Sequence, residues 1–311
     1  MKVVSKSVKN IFPSWLRVAQ NQIDDYDKTG DYSTTQLVGP PRISYLTSRH
    51  YDSLEVDVIS RVDLIMGSAV HYVLEMAADK DTISEQRFKI PILGKLISMK
   101  PDIATVFSEL PSGHKVYAIH DFKFVKANSV KYGVKMDWEC QLNCYAYGMR
   151  AQGYDIRHLS VEYMIKDWSA IEYAKDKTNG YPKDRIGSLA VNVWTEEKCK
   201  QYLESRVNLF ESVKDVSDAA LPFCTRGERW MSKSDVYVVK KRDSSRALPK
   251  SSFPLKSDAV AAFNARKDKV DCEIQFRPCK STRCEWYCDV KHLCNQYQDF
   301  ISKDIDPSSP F

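Results

Sequence analysis

The spacing of apolar positions changes along this chain, and the changes mark its elements. Over residues 62–78, VDLIMGSAVHYVLEMAA is apolar at helical spacing and free of proline, which predicts a helix. Alternating segments follow around 85–92, 95–107 and 115–125. Leu93-Gly94 and the PSGH run at 111–114 supply the turns of an antiparallel meander. A second helix is predicted over about 137–152 and a further strand over 157–166. A helical crossover before that last strand lets it pair in parallel. The expected fold class is therefore α/β, a central mixed β-sheet flanked by helices.

The flanking regions read differently. Residues 1–60 are expected to form a helical region with loops, broken by VGPP at 38–41. After the core of 61–170, the segment 175–188 is expected as a loop, and Thr195 with two following glutamates opens a long helix to about 218. Residues 219–255 look irregular apart from a basic, strand-like VYVVKKRDSSR, and 257–267 form a short helix. Residues 171–300 are thus a helical, Cys-rich C-terminal region, and 301–311, ending DPSSPF, a frayed tail.

Composition narrows the function classes. With 43% hydrophobic and 28% charged residues in 311, the chain can bury a full core and is neither disordered nor fibrous. It has no apolar run of membrane-spanning length. Lys and Arg scattered through MKVVSKSVKNIFPSWLRVAQ do not read as a secretory signal. A cytoplasmic protein with no membrane partner is the expectation. The net charge of +5 permits a polyanionic partner without requiring one.

The candidate chemistry begins at IHDFKF, 119–124. Residues two apart on a strand share a face, so Asp121 and Lys123 point together. A carboxylate can hold a divalent metal, and a lysine beside it can stabilise charge on an attacked phosphate. Alone, such a pair is a surface ion pair worth little. In ISMKPDIAT, Asp102 follows Pro101 where the strand is expected to bend, and aspartate is disfavoured within a strand. Gly67, His71 and Glu75 line one helical face, with Gly67 expected to let that face approach the sheet. His71 offers a nitrogen ligand, although a lone histidine is ordinarily structural. Glu75 is open between a ligand, a partner of a ligand and a surface charge, and Glu85 equally so. Gln141 and Tyr145 share a face of the next helix, suited to a DNA backbone or to bracing the lysine.

The ordered set G-x3-H-x3-E, D, D-x-K and Q-x3-Y resembles the RecB-like branch of the PD-(D/E)XK nuclease superfamily, over roughly residues 60–166. Members include the RecB and AddB nuclease domains and CRISPR-associated exonucleases. The resemblance implies a restriction-endonuclease-like core, with His71, Asp102 and Asp121 as metal ligands and Lys123 as the catalytic lysine. Gln141 and Tyr145 would be the family's extra motif. It further implies a DNA nuclease dependent on Mg²⁺ or Mn²⁺, with exonuclease action the expected form. The partner would be DNA with a single-stranded portion, in recombination, repair or end processing. The alternative is an inactive, nuclease-like nucleic-acid-binding protein with a structural metal.

Cys284, Cys288 and Cys294 crowd the C-terminus at a spacing suited to zinc or an iron–sulfur cluster. Cys224 is the preferred fourth ligand, with Cys272, Cys279 and, for zinc, His292 as alternatives. The final triplet resembles RecB-like nucleases that carry a four-iron cluster, which implies [4Fe-4S] here, with structural Zn²⁺ as the alternative. In those relatives the distant cysteine usually precedes the nuclease core, whereas Cys224 follows it. Cys140 and Cys144 are expected as core thiols. Lys240, Lys241, Arg242, Arg246 and Lys250 are open between phosphate contacts and a solvated hairpin. Trp286 and Tyr287 are expected to pack around the metal site.

Overall fold

The structure, a computed structural model, describes residues 1–24, 29–79, 81–176, 180–231 and 234–302. The tail expected over 301–311 lies outside the described residues from 303 onward. The chain divides into two compact units, one of Met1–Ser44 with His50–Val216 and one of Tyr45–Arg49 with Ser217–Phe311.

The first unit opens with β1 (Lys2–Val4), α1 (Pro13–Asp24), β2 (Tyr32–Ser33), α2 (Thr34–Val38) and α3 (Pro41–Arg49), whose last turn belongs to the second unit. Then come β3 (Glu55–Asp57), α4 (Val62–Met76), β4 (Ile83–Ser84), β5 (Phe88–Ile92), β6 (Lys95–Met99) and β7 (Ile103–Glu109). It closes with β8 (Lys115–Val125), α5 (Met136–Arg150), β9 (Asp155–Ile165), α6 (Ala170–Lys175), β10 (Ile186–Ala190) and α7 (Glu196–Ser212). Local signals explain the ends. Thr195 caps α7 by accepting from Lys198 N at 3.2 Å, with Glu196 and Glu197 against the helix dipole. Leu93 at φ 49° and Gly94 at φ 74° make the tight turn between β5 and β6.

Five strands form the main sheet in the order β10-β9-β8-β7-β4. β8 and β9 are parallel, joined through the crossover helix α5, and the other pairs are antiparallel. The protein is therefore mixed α/β, with helices packed on its sheets. The expected meander is not one sheet, however. The segment 95–107 breaks at Lys100–Asp102, so β6 joins a separate sheet of order β2-β6-β5 while β7 stays beside β8. The expected domain boundaries also shift. Of residues 1–60, all but Tyr45–Arg49 belong to the same unit as the core, and they contribute β1, β2 and β3. The first unit runs to Val216 rather than ending at 170, because β10 pairs with β9 and α7 packs on α5. Ile186–Ala190 is a strand whose start falls in the expected loop.

In the second unit, β11 (Val236–Lys241), β12 (Ala247–Phe253) and β13 (Cys272–Arg277) form an antiparallel sheet of order β12-β11-β13. α8 (Lys256–Asn264) packs on all three strands, and α9 (Thr282–Trp286) and α10 (Asn295–Ser302) follow. Among the described residues, no helix is long and apolar enough to cross a membrane.

Two helical glycines have opposite reasons to exist. A Cβ at Gly148 on α5 would lie 2.4 Å from the Sδ of Met99, which is fully buried. A Cβ at Gly67 on α4 would meet nothing within 4 Å, so Gly67 does not serve the close approach expected of it. Gly148→Ala should lower the thermal midpoint, since overpacking costs about 1–3 kcal/mol against a helix gain of about 1. Gly67→Ala should raise it by up to about 1 kcal/mol. Thermal unfolding followed by circular dichroism separates the two; equal shifts would contradict this packing.

Candidate active site

Asp121 and Lys123 face the same side of β8, as the pleat requires, and their charged groups form an ion pair. His120 points the other way, to Ser160 at 2.7 Å and Thr105 at 3.0 Å. Asp121 is only 1% exposed. Its Oδ1 accepts a 3.4 Å hydrogen bond from Gln141 Nε2, which also donates to the Tyr145 hydroxyl at 2.8 Å. Helical period brings both α5 residues to this point, so the structure gathers the Asp121, Lys123, Gln141 and Tyr145 set. Burial, ahead of the nearby Asp121 carboxylate, pushes the Tyr145 hydroxyl well above its usual pKa.

The end of β7 explains how His71 and Asp102 join them. Ile103 faces His120 and Ala104 faces Ile119, so continuing the register would set Phe122 opposite Pro101. Proline has no N–H to give the Phe122 carbonyl, and β7 starts only at Ile103. Both backbone groups of Phe122 on that edge need other partners. Asp102 Oδ2 accepts the Phe122 N–H at 2.7 Å. His71 Nε2 meets the Phe122 carbonyl at 3.0 Å. A carbonyl only accepts, so Nε2 carries a proton. The other ring nitrogen, Nδ1, faces Asp102 Oδ1 at 3.6 Å. One peptide unit thus sets an imidazole nitrogen and a carboxylate oxygen facing each other.

Glu85 completes the group. The ligand atoms of His71, Glu85 and Asp102 all lie within 4.8 Å of one another. Ser84 pairs with Ile103, and one step on the Glu85 N–H donates to the Asp102 carbonyl at 3.0 Å. Its φ of 52° is left-handed, a costly conformation for a residue with a Cβ. The sequence offered Glu85 as an acidic residue at the head of a strand, but nothing in it reveals this backbone turn. Lys100 pairs with the Glu85 carboxylate. Glu75, by contrast, is exposed on α4 and is not among the residues lining the adjoining cavity. That cavity, of about 910 Å³, takes in His71, Glu85, Asp102 and Tyr145, with Arg61 and Arg87 among its cations.

The charge balance bears on what the cluster can hold. Burial first, then the Asp121 carboxylate, raises Asp102 to about 6, against the pull of His71 and Lys123. Asp121 Oδ2 is buried and, beyond its ion pair, accepts no hydrogen bond. Two buried carboxylates with an unbonded oxygen are short of positive charge. Carboxylate oxygens with one imidazole, its other nitrogen bound to a carbonyl, fit a hard divalent cation such as Mg²⁺ or Mn²⁺.

The second unit holds the other candidate centre. Burial above all pushes the Cys224 thiol up to about 12, and Cys294, Cys284 and Cys288 add to the rise. Burial likewise raises Cys288 to about 11, with Cys284 and Cys294 contributing. Cys224 is therefore close to all three, although 60 residues separate it from Cys284 in the chain. Gln296 holds it there, accepting from Cys224 N at 2.9 Å and donating to its carbonyl at 2.8 Å. Cys279 instead receives a hydrogen bond from none of these cysteines; its N–H donates to Asp235 at 2.7 Å and its thiol to the Lys280 carbonyl at 3.8 Å. Among the described residues, only His71, Glu85 and Asp102 bring three ligand atoms within 4.8 Å. Trp286 does not pack inward as expected but is 69% exposed, while Tyr287 lies 5.2 Å from the Trp230 ring.

No family model and no curated protein matches the chain. Among solved structures, one described as "Crystal structure of SSO0001" is similar at 17% identity, over 63% of this chain and 85% of that one, with a TM-score of 0.43. A likeness of that size carries no argument about function.

Proposed function

We propose that the chain is a divalent-metal-dependent deoxyribonuclease of the RecB-like PD-(D/E)XK type, with a restriction-endonuclease-like core in its first unit. One observation carries the reading. The Phe122 peptide, flanked by Asp121 and Lys123, fixes His71 and Asp102 so that their ligand atoms and that of Glu85 all lie within 4.8 Å of one another.

In this reading His71, Asp102 and Asp121 hold Mg²⁺ or Mn²⁺, with Glu85 as a further ligand that the resemblance did not supply. When bound, the cation polarises a phosphodiester and makes water a better nucleophile. Lys123 stabilises the negative charge that develops on the phosphate. Gln141 holds Asp121 in place through Oδ1, and Tyr145 supports Gln141. The cysteines of the second unit serve as a staple for that unit, holding a [4Fe-4S] cluster or, as the alternative, structural Zn²⁺. DNA with a single-stranded portion is the partner.

End-labelled single- and double-stranded DNA, incubated with the purified chain and Mg²⁺ or Mn²⁺, tests the proposal. Cleavage that EDTA stops is expected, and the products report polarity. DNA bound in EDTA but never cleaved with either metal would favour the inactive, DNA-binding alternative.

A further inference from the structure

The chain's positive charge is unevenly shared. Lys and Arg number 28 against 28 Asp and Glu in the first unit, but 18 against 13 in the second. All of the net charge of +5 therefore belongs to the unit without the carboxylate cleft.

The strand register sets most of the charged residues of β11 and β13 on one face, with Lys241 on the other. Tyr237, Val239 and Lys241 of β11 face Phe276, Ile274 and Cys272 of β13, and Phe253 of β12 also faces Tyr237. That is the apolar face, the one a helix such as α8 can cover. Val236, Val238 and Lys240 face Arg277, Gln275 and Glu273 instead. On this polar side a cavity of about 580 Å³ is lined by Lys240, Arg242, Gln275 and Arg277, the turn residues Ser244 and Ser245, and one acid, Asp243.

The cations there are not equivalent. Lys240 is 8% exposed and its ammonium is paired with Glu273. Among the described residues, the side-chain hydrogen bonds of the two guanidinium groups go to neutral acceptors. Arg242 Nε donates to the Val270 carbonyl at 3.2 Å. Arg277 donates to Gln275 Oε1 at 3.0 Å and to the Ser245 carbonyl at 2.6 Å. Arg242 also acts on the Glu273 carboxylate through space, but that carboxylate is already paired with Lys240. Each guanidinium is thus oriented with N–H donors left for an anion. Lys241, Arg246 and Lys250 are exposed along the same hairpin. A cavity walled by guanidinium, hydroxyl and amide groups offers an apolar peptide nothing, whereas it matches phosphate oxygens in a row.

We infer that the β11–β12 hairpin with Arg277 of β13 is a second nucleic-acid contact, which binds the phosphodiester backbone without reading sequence. The inference rests on DNA being the partner, but not on cleavage. Its test uses the full chain in EDTA, with fluorescein-labelled oligonucleotides followed by anisotropy across a KCl series. The R242E/R246E/K250E triple should bind at least about tenfold more weakly and lose roughly two to three units of the log K against log[salt] slope. R242Q/R246Q/K250Q should fall between it and the wild type, and circular dichroism and metal content check that both retain the fold. Unchanged affinity and slope in both variants would overturn the inference. So would displacement of DNA by polyglutamate at equal charge concentration, which would indicate an acidic peptide as the partner. Metal-dependent hydrolysis of bis(p-nitrophenyl) phosphate by the wild type tests the nuclease reading separately, because so small a diester does not need the hairpin.

Discussion

Asp121→Asn is expected to abolish both DNA cleavage and the protein's response to Mn²⁺. Removing one electrostatic group from a site of this kind costs about 10²–10³-fold in rate, and a lost metal ligand should cost at least that much. The substitution also leaves Lys123 without its carboxylate partner, so the metal-free protein should not gain stability. Adding Mn²⁺ should then raise the midpoint of the wild type but not of Asp121→Asn, since only a folded site that binds the ion is stabilised by it. Lys123→Ala supplies the contrast: cleavage is lost, but the Mn²⁺-induced rise remains. An Asp121→Asn protein that cleaves DNA like the wild type, or that still responds to Mn²⁺, would refute the assignment.

The contrast between Asp121 and Glu85 shows how far the sequence was legible. Period-two alternation suffices to put Asp121 and Lys123 on one face, and a helical period of four does the same for Gln141 and Tyr145. A bend at Pro101 was legible too, but not that 95–107 splits there into strands of two sheets. Its consequence was not visible: the interrupted strand leaves the Phe122 peptide without partners, and His71 and Asp102 supply them. That depends on which strand lies opposite, a long-range fact no local pattern records. Glu85 needed still more, since its backbone is turned against its own preference. The boundary near 170 failed for a related reason. Ile186–Ala190 lies on β9 through backbone hydrogen bonds, and a short strand after a polar loop carries little signal of its own. Cys224 was chosen by chemistry rather than pattern, because three clustered thiols need a fourth.

Cys224→Ser should cost the second unit its metal and then its fold, whereas Cys279→Ser should cost neither. Cys224 is joined to α10 by two hydrogen bonds with Gln296, so a centre shared with Cys284, Cys288 and Cys294 would bind segments far apart in sequence. The sheet β12-β11-β13 with one covering helix is a small core, which a metal that ties distant segments together would stabilise. Without one, the unit must bury three thiols and half-bury Cys288, with Cys224 and Cys288 pushed up to about 12 and 11. Anaerobically purified wild type should be brown, absorb near roughly 400 nm and contain about four irons per chain. Cys224→Ser should be colourless and lose the cooperative unfolding of the second unit, while Cys279→Ser keeps the colour. Stoichiometric zinc in a colourless wild type would replace the cluster with a zinc site. Colour retained in Cys224→Ser but lost in Cys279→Ser would move the fourth ligand to Cys279, which would have to break the Asp235 hydrogen bond that now positions its backbone.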